Sequence, residues 1–141
     1  MLATRNDITG YIPQRAPMVM IHELVRAGED HAVTKLRIDP ENVFVWGDAL
    51  SEPGLIENIA QTAAAHVGYQ CSQKKIPVPV GYIAAVRDLK IYSLPVLHSE
   101  IITTIHITNR VLEVTMIEGK IEQNNHIVCT CEMRIFVKNQ S

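Results

Sequence analysis

The chain has 141 residues, a formal net charge of −2 and 47% hydrophobic residues, enough apolar material for one domain over 1–141 to bury a respectable core. Lysines and arginines are scattered singly and only 5% of residues are aromatic. No basic stripe or base-stacking platform is visible, which argues against nucleic acid as the main partner.

In chain order, the opening MLATRNDITG lacks the apolar centre of a signal peptide. No apolar run approaches the length of a membrane span, so a cytoplasmic protein is expected. Residues 6–12 predict a short helical turn capped by Asn6 or Asp7. Pro13 and Pro17 impose an extended path behind it. Residues 18–26 are strand-prone, AGED at 27–30 is a turn, and 31–39 form the second strand of an antiparallel hairpin. A short apolar strand, VFVW at 43–46, is broken by Gly47 and Asp48.

Residues 51–70, SEPGLIENIAQTAAAHVGYQ, read as one helix. Ser51 suits the N-cap and Pro53 the first turn, and Gly68 is expected to loosen the end. Apolar residues fall on nearly every side, so other structure should wrap this helix. Into that run the sequence places Glu57 and Gln61, four apart and therefore on one face. A buried carboxylate is costly unless it is paired or holds a proton part of the time, and a carboxyl so poised can trade protons near neutral pH. The alternative is a glutamate at an exposed edge of the helix, held by Gln61 or a backbone amide. His66 lies nine residues beyond Glu57, about half a circle away at about 100° per residue, and is expected to face elsewhere.

Residues 71–80, CSQKKIPVPV, are a surface connection, after which strands dominate: 81–92, 100–108, 111–119 and 126–137. Asn109-Arg110 is the expected turn between the second and third of these. In the third, Leu112, Val114 and Met116 are expected to share one face, with Glu113 and Thr115 on the other. In the last, Ile127, Cys129, Cys131, Met133, Ile135 and Val137 share a face. Three cysteines, an odd number, fit a reducing compartment. Cys129 and Cys131 near His126 lack the spacing of a zinc knuckle and read as core, so no metal is expected. With no Rossmann glycine pattern and no P-loop, no cofactor is expected either. One apolar helix among antiparallel strands predicts an α+β fold in which the sheet curls around the helix and a free edge pairs with another copy.

Three ordered segments carry a family resemblance. D-I-T-G-Y-I-P-Q-R-A-P-M-V-M-I at 7–21 resembles the P-H-R-x-P segment and apolar strand of the 3-hydroxyacyl-[acyl-carrier-protein] dehydratases. P-G-L-I-E-N-I-A-Q, beginning at Pro53, resembles their central helix, whose acid is followed four residues later by glutamine. GYIAAVRDLKIYSLPVLHSE at 81–100 resembles their strand-turn segment. The sequence looks closer to a divergent branch of predicted dehydratases associated with aryl-polyene or flexirubin-type pigment clusters. The resemblance implies the hotdog fold, a curved antiparallel sheet around one long helix. It also implies a homodimer, or a heterodimer with a related hotdog protein, and an acyl substrate delivered on the phosphopantetheine arm of an acyl carrier protein.

Residue by residue, the resemblance makes Glu57 the catalytic carboxyl and Gln61 its helix partner at the substrate. Gly54 is a candidate N–H donor to substrate at the positive end of the helix dipole. The family's G-H-F-P loop is shortened here to Trp46-Gly47-Asp48-Ala49-Leu50-Ser51-Glu52-Pro53, and no histidine lies between 32 and 65. Asp48 stands where that histidine would be and is a candidate base; Gln14 replaces the histidine of P-H-R. Arg87 and Lys90, with Lys74 and Lys75, are candidate contacts for an acidic carrier. Three functions follow: a 3-hydroxyacyl-carrier dehydratase (a lyase), a catalytically impaired hotdog subunit that binds acyl chains or pairs with an active dehydratase, and an acyl thioesterase.

Overall fold

Ser51 is extended (φ −74°, ψ 165°) and helix α1, Glu52–Lys74, starts directly behind it with Pro53 in the first turn, in a computed structural model that describes residues 2–138. The Ser51 side chain makes no cap bond; its hydroxyl is buried without a partner. The helix runs four residues past the expected end. Gly68 does not loosen it: a Cβ at that position would stand 2.0 Å from the Tyr11 carbonyl oxygen. The glycine is there so that the segment around the short 3-10 turn Ile8–Gly10 can lie on the helix. The helix stops where Lys75 turns left-handed (φ 55°) and the N–H groups of Lys75 and Ile76 return to the Cys71 carbonyl. The connection that follows is correspondingly short.

The expected first hairpin is present as β1 (Glu23–Ala27) and β2 (His31–Arg37). Residues 18–22 do not extend β1, because the backbone of Met18 and Met20 bonds to side chains of α1 instead. The two-residue strands β3 (Val45–Trp46) and β4 (Ala49–Leu50) pair across Gly47-Asp48. After α1 come β5 (Val80–Ile91), β6 (Glu100–Val111), β7 (Val114–Gln123) and β8 (His126–Lys138). The large sheet has six strands in the order β1-β2-β6-β7-β8-β5, each antiparallel to its neighbours.

The β6–β7 turn is a correction. Asn109 and Arg110 belong to β6, and the chain reverses at Leu112-Glu113 between the paired Val111 and Val114. Leu112 holds φ 55° and is 99% exposed. The apolar alternation at Leu112, Val114 and Met116 therefore does not mark the core face: in β7 it is Ile117, Gly119 and Ile121 that are buried. In β8, Cys129, Cys131, Met133 and Ile135 face the core as expected, whereas Ile127 is exposed.

Leu55, Ile59 and Ala63 bury the helix against Ile105, Ile117, Ile121 and Met133 of the sheet. Gly119 permits this close approach, since a Cβ there would meet Ile59 Cγ2 at 2.6 Å. This is the hotdog arrangement that the resemblance implies. The two margins of the sheet differ. Ala3 exchanges backbone hydrogen bonds with Leu24 and so occupies the outer edge of β1 at that residue (3.0 and 3.1 Å). The outer edge of the twelve-residue β5 carries no strand among the described residues.

Candidate active site

Polar side chains inside the helix tie it to its surroundings. Asn58, Gln61 and Thr62 are fully buried. Gln61 Oε1 accepts the Met20 N–H (2.6 Å), and its Nε2 donates to the Met18 carbonyl (2.7 Å) and to Glu57 Oε1 (3.0 Å). Asn58 donates to the Met20 carbonyl (2.8 Å) and accepts from the Thr103 hydroxyl (2.5 Å). Thr62 Oγ1 donates to the Asn58 carbonyl (2.9 Å), so in its 2.7 Å contact with Thr34 the Thr34 hydroxyl is the donor. Buried amides are stable only with their hydrogen bonds made. Here the partners are the N-terminal segment and β2 and β6, which the helix thereby locks in place.

Glu57 sits at the edge of this network. It is partly buried, and one carboxylate oxygen is held by Gln61. It contributes to the wall of a cavity of about 260 Å³ between α1 and the sheet. Ala60, Ala64 and Val67 continue the wall along the helix, and Ile105, Ile117 and Ile135 close it from the sheet. Glu57 is the single carboxylate on a mostly apolar lining, whose other polar side chains are Gln14, His66, Tyr82 and Thr115. Pro13 and Gln14 of the N-terminal segment line it too, and Tyr82 and Ile83 of β5 add a further side. Gln14 Oε1 is buried with no partner.

The other expected site residues separate from this cavity. Gln61 is adjacent to Glu57 but spends its amide on backbone and on that carboxylate. Gly54 is buried beneath Phe44 and Leu50 and is not part of the lining. Asp48 is exposed in the β3–β4 turn, where its carbonyl accepts the Leu97 N–H (2.8 Å), and it also stands outside the lining. Arg87, Lys90, Lys74 and Lys75 are exposed.

His66 is a second correction. It does not face away: the curved sheet reaches around the helix, and the ring forms part of the same cavity wall. His66 is 2% exposed, and its Nε2 lies 2.7 Å from the Gly28 carbonyl, which also accepts from Gln70 (2.9 Å). Burial pulls its pKa below the ordinary histidine value, against the opposing pull of the Gly28 carbonyl. Asn58 is the residue that sequence reasoning missed, since an asparagine inside a helix resembles a surface position until its partner on the sheet is known.

The cysteines belong to the core. Burial pushes the Cys129 thiol up to about 11 and the Cys131 thiol up to about 12, which leaves both protonated and poor nucleophiles. Among the described residues no helix is long and apolar enough to cross a membrane.

Solved structures share this architecture. A chain of the dehydratase heterocomplex ApeI:P from Xenorhabdus doucetiae is similar with a TM-score of 0.82 at 16% identity, covering 94% of this chain and 91% of that one. A hypothetical thioesterase with coenzyme A from Streptococcus pneumoniae gives 0.68 at 12% identity, with 84% and 86% covered. The E. coli PaaI protein from the phenylacetic acid degradation operon gives 0.63 at 10% identity, with 81% of each chain covered. At these identities the likeness establishes the hotdog fold alone. No curated protein matches the sequence. The family model described as ApeP dehydratase matches residues 6–141, which takes in the proline-rich N-terminal segment, the Glu57 helix and every strand of the sheet, and the chain belongs to that ApeP-like family.

Proposed function

We propose that the chain is a dehydratase subunit acting on 3-hydroxyacyl thioesters carried by an acyl carrier protein, in aryl-polyene or fatty-acid-like synthesis, with Glu57 as its proton-transfer group. The observation that carries this reading is the single carboxylate of Glu57, fixed by Gln61 on the wall of an apolar cavity. Loss of water from a 3-hydroxyacyl thioester needs a base for the α-proton and an acid for the departing hydroxyl. Glu57 can deliver a proton to that hydroxyl, and water leaves as the α,β double bond forms. The α-proton goes to a base on a second hotdog subunit.

Two features support a second subunit. The open β5 edge exposes backbone groups and Tyr82 (60%), with Tyr92 (63%) just beyond its end, a surface that strands of another chain can cover. The similar Xenorhabdus structure is itself a dehydratase heterocomplex. A second reading, in which this chain only binds the acyl group and completes an active partner, is favoured by Gln14 in the place of a family histidine and by the lack of any histidine from 32 to 65.

The test is water loss from a 3-hydroxyacyl-carrier substrate, followed by mass spectrometry, with the protein alone and with a co-purified hotdog partner. Turnover that disappears in Glu57→Gln supports the catalytic reading. No water loss by the protein alone, with partner-dependent turnover unchanged by Glu57→Gln, moves the chain to the accessory role. Release of free thiol without water loss marks a thioesterase. Asp48→Asn with full turnover removes Asp48 from the site.

A further inference from the structure

Three elements change character at one level of the cavity. On α1 the wall runs through Glu57, Ala60, Ala64 and Val67, and Val67 also borders a neighbouring hollow to which the helix adds Gln70 and Lys74. On β6, Ile105 and Ile107 line the cavity, whereas Arg110 lines the hollow. On β7, Ile117 belongs to the cavity, Thr115 to both spaces and Glu113 to the hollow alone. Apolar side chains thus give way to charged ones along the helix and the sheet together. Two helix residues border both spaces, His66 and Val67. His66 is buried with its Nε2 on the Gly28 carbonyl, which leaves the half-buried Val67 as the helix side chain at the boundary. Thr115 and, on β8, Val137 meet that boundary from the sheet.

We infer that Val67, opposed by Thr115 and Val137, is the specificity-determining residue that sets the longest acyl chain this cavity accepts. The helix rises about 15 Å from Glu57 to Val67, at about 1.5 Å per residue. An extended alkyl chain advances about 1.25 Å per bond, given carbon–carbon bonds of about 1.5 Å, so with the reacting carbons at Glu57 the apolar compartment takes a chain of roughly ten carbons. Up to that length each methylene exchanges water for apolar wall and tightens binding. Further methylenes must pass Val67 and lie beside Lys74, Arg110 and Glu113. Charged groups keep their water, so no apolar burial is gained there. The inference rests on the acyl-cavity reading above and adds a limit of length and the residue that imposes it.

The experiment is calorimetric titration of the full chain, with its partner subunit if the two co-purify, using the even-numbered saturated acyl-pantetheines from butanoyl to tetradecanoyl. Affinity is expected to rise about fourfold per methylene up to roughly ten carbons and to level off beyond. Val67→Ala is expected to move the break at least one step along the series to longer chains, and Val67→Phe to move it to shorter ones. Thr115→Leu, on the other side of the boundary, supplies the shorter limit if the phenylalanine variant does not fold. Affinity that keeps rising through tetradecanoyl, or a break that stays in place in Val67→Ala and in the narrowed variant, overturns the role of Val67 and leaves the acyl cavity standing. Binding of none of the series overturns the acyl cavity and its limit together.

Discussion

Gln61 holds Glu57 at 3.0 Å with the same amide group that grips the Met18 carbonyl 2.7 Å away. One side chain thus orients the candidate catalytic carboxylate and fastens the N-terminal segment to the helix. Gln61→Ala leaves the buried Met20 N–H and the partly buried Met18 carbonyl unpaired and removes packing volume. A loss of about 3 kcal/mol or more is expected, from about 1–3 kcal/mol for each stranded group, measured by urea denaturation. A loss below about 1 kcal/mol means that the segment is held by Asn58 alone.

Glu57→Gln changes the chemistry and not the shape. The variant should fold with an unchanged melting temperature to within a few degrees. Water loss should fall by about 10²–10⁴-fold, the usual contribution of a positioned proton donor. Single-turnover mass spectrometry reads the rate, and circular dichroism reads the fold.

His22 makes stability depend on pH. Burial first, and the Arg5 guanidinium second, lower its pKa from 6.5 to about 4, with Asp39 pulling the other way. A histidine depressed in the folded state binds its proton first in the unfolded chain. Stability is therefore fully present above pH 6.5 and is lost as pH falls through the window down to about 4. His66 is lowered in the same direction and adds to the effect. Melting temperature should fall across this window, and His22→Gln should flatten the fall. A profile in the variant as steep as the original refutes the assignment to His22.

Gly119→Ala pushes a methyl group onto Ile59 Cγ2, 2.6 Å from the new atom. Overpacking of this kind costs about 1–3 kcal/mol. Ile59→Ala on its own opens a cavity, yet combined with Gly119→Ala it should be less damaging than the sum of the two, because each defect relieves the other. Strict additivity in a denaturation cycle shows that the helix shifts instead of clashing.

The central helix was legible because its signals are local: Ser51 and Pro53 at the start, and an apolar run behind them. Glu57 was legible as an anomaly within that run. The face of β7 was not, because it depends on where the chain turns. Asn109-Arg110 has turn chemistry, but the reversal falls at Leu112, a residue that rarely takes positive φ, and a shift in the turn sends alternate side chains to opposite faces. Asn58 and His66 were hidden for a different reason. Their roles come from Thr103 on β6 and from the Gly28 carbonyl before β2, contacts made by the sheet closing over the helix and not by spacing along it. Gly68 looked like a helix breaker and is a point of contact with Tyr11, a distinction that only the approaching chain can make.

The unlike margins of the sheet also set a count. Residues 2–3 occupy the β1 side at Leu24, so among the described residues the β5 side is the longer free margin. Two sheets joined through β5 would leave only the short β1 margins, each already occupied at Leu24, at the two ends, so strand pairing by that route would stop at two and the exposed twelve-residue strand would not propagate into a fibril.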